Sequence, residues 1–222
     1  MKRIIIICEG PTEKEFCEKM LSLYFEKRGI CIQPPLIKRS NGGIVKWSEL
    51  KKQIEIHLKQ EKGVYVSLLI DYYGIDQKYQ FPNWEESLKI VNKNERMGFL
   101  EQSMKEDIDP DLRFRFIPYI QLHEFEGLLF NDIEMFYRLF DKKEIVGEAE
   151  LKETFSLFSD NPEMINDSEE TAPSKRLKRI IKGYDKVVYG NIMVESIGLT
   201  NIRSKSPRFN EWLNKIEFIA DI

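Results

Sequence analysis

Apolar positions along the chain gather in three runs, and each run is closed by acid. Ile4-Ile5-Ile6-Ile7-Cys8 leads directly into Glu9-Gly10. No position in that run alternates toward water, so Arg3 to Cys8 reads as a strand buried on both faces. A second unbroken run, Val64 to Ile70, ends on Asp71. Arg113 to Ile120 reads as a third strand, and His123-Glu124-Phe125-Glu126 follows it.

Helical periods fill the intervals. Thr12 to Arg28 carries apolar Phe16, Met20, Leu23 and Tyr24 at helical spacing, and Thr12 with Glu15 has the form of a capping box after a sharp turn at Gly10. Cys31 to Ile37 is extended, because Pro34-Pro35 forbids a helix. Ser40-Asn41-Gly42-Gly43 is a turn. Trp47 to Lys59 is helical, Tyr72 to Trp84 is a loop, and Glu85 to Asp107 is helical with Gly98 as its weak point. Leu128 to Phe140 is helical, and Ser159 to Ala172 is an acidic loop. Basic Ser174 to Lys182, Tyr184 to Gly198 and Pro207 to Phe218 make three further helices, with Phe209 and Trp212 as core anchors. Strands alternating with helices predict an α/β fold, a mainly parallel sheet with helices on both faces. The domain expected over 1–158 is followed by a basic helical segment, 159–222, packed on it.

Composition narrows the class. A hydrophobic content of 42% and an aromatic content of 12% suffice for a core in a chain of 222 residues. The apolar runs fall well short of the ~18 residues of a membrane span. The N-terminus enters a strand at once, so no signal peptide is expected there. Cys8, Cys17 and Cys31 have no CxxC spacing, which favours reduced thiols and a cytoplasmic location, with Cys8 and Cys17 as small core residues.

Charge is unevenly spread. Between positions 171 and 215, ten Lys and Arg stand against three Asp and Glu, although the whole chain carries −3. An acidic body can hold metal while a basic tail approaches phosphate.

Parallel strands with right-handed crossovers bring their carboxyl ends to one edge, where ligands bind in open α/β sheets. Glu9, Asp71 and one or both of Glu124 and Glu126 are therefore expected to form an oxygen-donor site for Mg²⁺ or Mn²⁺. Glu13, one helical turn after Glu9, is within reach of it. His123 is a candidate ligand, general base or positioning group. His57, mid-helix among lysines, reads as an exposed surface group. Lys175, Lys178, Arg179 and Lys182 share one helix face beside Arg176. Tyr184, Lys186 and Tyr189 follow, then Arg203, Lys205 and Arg208. Such a stripe suits a phosphate backbone, and Ser174 is placed to cap a helix whose N-terminus faces phosphate.

Five ordered blocks carry a resemblance: Ile-Cys-Glu-Gly-Pro-Thr-Glu from Ile7, Leu-Leu-Ile-Asp-Tyr-Tyr-Gly from Leu68, Leu-His-Glu-Phe-Glu-Gly-Leu-Leu-Phe from Leu122, Ala-Pro-Ser-Lys-Arg-Leu from Ala172, and Ser-Pro-Arg-Phe-Asn-Glu-Trp-Leu from Ser206. Together they resemble a bacterial family, domain of unknown function 4276. That family looks like a divergent relative of the TOPRIM nuclease domain of topoisomerases, DnaG-type primases and overcoming-lysogenization-defect nucleases. The resemblance implies an acidic Mg²⁺ site and frequent pairing with an ABC-type or AAA-type ATPase encoded nearby, often in phage-defence loci. Glu9 then matches the TOPRIM glutamate, the general acid or base. Asp71 matches the first acid of its Asp-x-Asp motif. Tyr73 stands where the second acid belongs, and Glu124 and Glu126 are left to supply a ligand.

Three functions fit these residues. The first is a metal-dependent nuclease of DNA or RNA, the effector of an ATPase-coupled defence system. The second is a degenerate subunit that binds an ATPase or nucleic acid without cleaving. Assembly into a homo-oligomer is compatible with either. The third is a receiver-like or nucleotide-binding module, for which no P-loop and no G-x-G-x-x-G is present.

Overall fold

A computed structural model of the chain describes residues 1–40, 43–165, 168 and 170–221. Asn41 and Gly42 of the expected turn, and Asn166, Asp167 and Glu169 of the expected acidic loop, lie outside the described residues. Two compact units emerge: Met1–Ile120 with Trp212–Ile222, and Gln121–Glu211. The division expected near 158 falls inside the second unit. No described helix is long and apolar enough to cross a membrane.

The first unit is α/β. Its sheet runs β2 (Ile30–Gln33), β1 (Lys2–Cys8), β3 (Val64–Asp71), β4 (Phe116–Ile117), and every pairing along that path is parallel. β1 and β3 are central, and Ile4 to Cys8 and Leu68 to Ile70 are almost wholly inaccessible to solvent. The unbroken apolar runs have this cause: both faces of each strand are covered. The expected third strand is broken. Arg113–Arg115 is a 3₁₀ turn, and Pro118, lacking an N–H, separates β4 from β5 (Ile120–Gln121).

The first helix starts two residues earlier than the capping box implied. Gly10 occupies the N-cap in an extended conformation, Pro11 takes the first helical position, and no side chain caps the turn. Thr12 is buried inside that turn. The helix then changes pitch: α1 (Pro11–Phe16) passes through a π turn, Cys17–Leu21, into α2 (Ser22–Glu26). The wider turn shifts the buried face to Phe16, Cys17, Leu21 and Phe25, and Leu23 is left 61% exposed.

α3 (Trp47–Gln60) follows β2. The long helix expected over 85–107 is two, α4 (Trp84–Ser87) and α5 (Lys93–Asp107), parted before Asn92 rather than at Gly98. Asn92 caps α5 by accepting the N–H groups of Asn94 and Glu95. Residues 212–221 return to this unit. Trp212 is buried, stacks on Tyr119 at 4.6 Å between ring centroids, and donates its indole N–H to Ser67 Oγ at 2.8 Å.

The second unit is helical: α6 (Ile133–Leu139), α7 (Glu148–Phe158), α8 (Pro173–Ile180), α9 (Lys186–Ile197), α10 (Leu199–Lys205), and the start of α11 (Pro207–Asp221). The helix expected from Leu128 begins instead as a 3₁₀ turn, Phe125–Leu129. Phe130, Phe136 and Phe155 form an aromatic core, with Phe136 edge-on to Phe155 at 5.8 Å.

Candidate functional site

In the first unit the parallel register sets Cys8 opposite Leu69, so the residues just past β1 and at the end of β3 are neighbours. Glu9 donates its backbone N–H to the Leu69 carbonyl at 3.1 Å, and its carboxylate Oε2 accepts the Asp71 N–H at 2.9 Å. Its other oxygen lies against Gly74, where an added Cβ would stand 3.1 Å from Oε1. Tyr72–Gly74 forms a 3₁₀ turn directly after Asp71. The Glu9 carboxylate is thus held against the Asp71 backbone at the end of the neighbouring strand, with a glycine making room for it. Asp71 is buried, and Tyr73, at the position of the missing acid, is 42% exposed.

Glu13 is also buried in this unit. Gly10 matters to it through space rather than backbone freedom, since a Cβ there would lie 3.0 Å from Glu13 Oε2. Cys8 and Cys17 are buried with their sulfurs 3.8 Å apart. Burial, and then the Cys17 thiol beside it, push the Cys8 thiol well above the usual thiol range.

The remaining candidates belong to the second unit. His123 is buried with φ +66°, a left-handed conformation that costs a non-glycine residue energy and favours a tightly determined site. Glu124 is spoken for. Its Oε2 accepts the Ser174 N–H at 2.8 Å and its Oε1 accepts the Ser174 hydroxyl at 3.0 Å. Ser174 does not cap α8 itself; Ala172 is the N-cap and Pro173 the first helical residue. The helix start expected to face phosphate faces this carboxylate. Glu126 is fully buried and pairs with Lys186 Nζ at 3.2 Å. Beside them, the Tyr184 phenol is pushed far above the ordinary tyrosine range, first by burial and then by the Glu126 charge, with Lys186 opposing.

The basic residues divide in two. Arg179 Nε lies 3.0 and 3.2 Å from the Glu150 carboxylate oxygens, and Arg176 donates to the Thr171 carbonyl and to Thr154 Oγ1. Arg203 donates to Asn210 Oδ1 and Lys205 to the Asn131 carbonyl. These four tie the second unit together. Lys175, Lys178 and Lys182 are exposed. Arg208 offers its backbone N–H to buried Glu163, which also accepts the Phe209 N–H and so caps α11 from a distance in sequence.

Sequence patterns gave no sign of Gly74, Glu150 or Glu163 in these roles; each acts through a contact remote in sequence. His57 is half-buried rather than exposed and lines a cavity. Among the described residues, no group of three or more His, Cys, Asp and Glu is placed to hold a metal ion. A family model described as a domain of unknown function (DUF4276) matches residues 8–217. No curated protein and no solved structure matches the chain.

Proposed function

The chain belongs to the family described as domain of unknown function DUF4276, and on that footing we propose that it is a Mg²⁺-dependent, TOPRIM-like nuclease. It hydrolyses phosphodiester bonds of DNA or RNA in the cytoplasm, as the effector of an ATPase-coupled phage-defence system. The observation that carries this reading is the Glu9 carboxylate accepting the Asp71 backbone N–H at 2.9 Å, which brings two acidic residues together at the ends of two central parallel strands.

Two carboxylates at a strand edge fit a hard cation, because Mg²⁺ is commonly held by one or two carboxylates while keeping several waters and meeting substrate phosphate. Glu9 and Asp71 would hold it; when bound, Mg²⁺ (or Mn²⁺) neutralises phosphate charge and lowers the pKa of a bound water. Glu9 handles the proton, taking it from the attacking water and returning it to the leaving oxygen. The Asp71 N–H fixes the Glu9 carboxylate, and Gly74 leaves it space. Lys175, Lys178 and Lys182 attract the polyanion, so binding weakens steeply as salt rises.

A second reading is a degenerate subunit that binds an ATPase or nucleic acid without cutting. It is supported by Tyr73 in place of an acid and by the engagement of Glu124 with Ser174 and Glu126 with Lys186. Single- and double-stranded DNA and RNA incubated with the protein and Mg²⁺ or Mn²⁺ separate the two. Cleavage that falls about a hundredfold or more in Glu9→Gln and Asp71→Asn supports the nuclease. Salt-sensitive binding with no cleavage supports the subunit.

A further inference from the structure

We propose that a cavity of about 530 Å³ in the first unit binds a small organic phosphate, with the phosphate between Arg3 and His57. The volume lies within the range of small-molecule sites. Ile5, Ile32, Pro34 and Pro35 give it an apolar wall.

Its polar side is unfinished. Arg3 Nη1 pairs with Glu61 at 2.9 Å, but Arg3 Nε and His57 Nε2 are buried nitrogens without a hydrogen-bond partner. Leaving such groups unsatisfied is costly, and native structures seldom do it without a reason. A guanidinium and an imidazole on one cavity are the donors that anionic oxygen takes.

The local field has the matching sign. His57 is held below the ordinary histidine range by burial first, then by the charges of Lys38 and Arg3. Of the acids nearby, Glu18, which also lines the cavity, pairs with Lys14 at 3.4 Å, and Glu61 pairs with Arg3 through Nη1 alone. A phosphate entering here offsets the Lys38 and Arg3 charges and draws a proton onto His57, which then donates from both ring nitrogens. Binding therefore tightens as pH falls through the His57 titration. Arg3 and Glu9 are six positions apart on one extended segment, about 20 Å, so this is a second site and does not depend on the proposed nuclease chemistry.

The test is an NMR titration of His57 in the intact protein. Adenosine monophosphate and inorganic phosphate are the probes. Adenosine monophosphate should raise the His57 pKa at concentrations about tenfold below those needed with inorganic phosphate, and Arg3→Gln should abolish the rise. An unmoved His57 titration at millimolar levels of both probes overturns the site, as does an undiminished shift in Arg3→Gln. Equal potency of the two probes overturns the organic body of the ligand.

Discussion

Glu124 grips Ser174 with both carboxylate oxygens, taking the backbone N–H at 2.8 Å and the hydroxyl at 3.0 Å. A negative charge at a helix N-terminus is favourable, and two of its donors are satisfied at once. Glu124→Ala should lower the stability of the protein by about 1–3 kcal/mol and Ser174→Ala by about 1 kcal/mol. Urea unfolding of the two variants and of their combination checks this; additive losses would mean the contact contributes nothing.

Gly74 sets the reach of Glu9. An alanine Cβ would stand 3.1 Å from Glu9 Oε1, closer than ordinary contact, so the carboxylate must yield by a few tenths of an ångström. Gly74→Ala should therefore reduce metal-dependent cleavage about tenfold or more while leaving the thermal midpoint nearly unchanged. Parallel activity and melting measurements test both halves of that expectation.

At Gly147 the conflict is with backbone rather than with a side chain. A Cβ there would lie 2.8 Å from the Arg179 carbonyl oxygen and 2.8 Å from Ile180 Cα. The close approach is fixed by the Val146 and Gly147 N–H groups, which both donate to the Ile180 carbonyl. Gly147→Ala should cost about 1–3 kcal/mol or more, read as a fall in the unfolding midpoint.

Glu163 links stability to pH. Burial raises its pKa above the usual carboxyl value of 4.5, against the opposing effect of the Arg208 and Phe209 N–H groups it accepts. A carboxyl raised in the folded state contributes stability below the unfolded pKa, and that contribution is lost as pH rises through the folded one. From 4.5 upward to the folded value, Glu163 should thus make the protein less stable with rising pH. Glu163→Gln should remove this component while keeping one oxygen acceptor for α11. Denaturation midpoints of both proteins across pH 4–8 check it; parallel curves would refute it.

Much of the α/β order could be read from apolar runs, because strands covered on both faces leave no polar positions to blur them. β1 and β3 were legible almost to the residue, and so was the placing of Glu9 just past the one and Asp71 at the end of the other. The first helix was legible in extent but not in its buried face, since the π turn at Cys17–Leu21 breaks the 3.6-residue period on which that reading depends. α7 and α10 were not legible at all. α8 was, but not the use of its arginines: Arg176 and Arg179 look like a phosphate stripe in sequence, and only the fold brings Glu150 to them.

Trp212 hydrogen-bonds to Ser67 from beyond a whole unit of chain, and this has a bearing on synthesis. Residues 121–211 must leave the ribosome before the segment that completes the first unit appears. At ordinary elongation rates the nascent β1–β3 sheet waits on the order of ten seconds for its indole anchor. The second unit is translated within that interval, so it is free to form while the first is still open on one side.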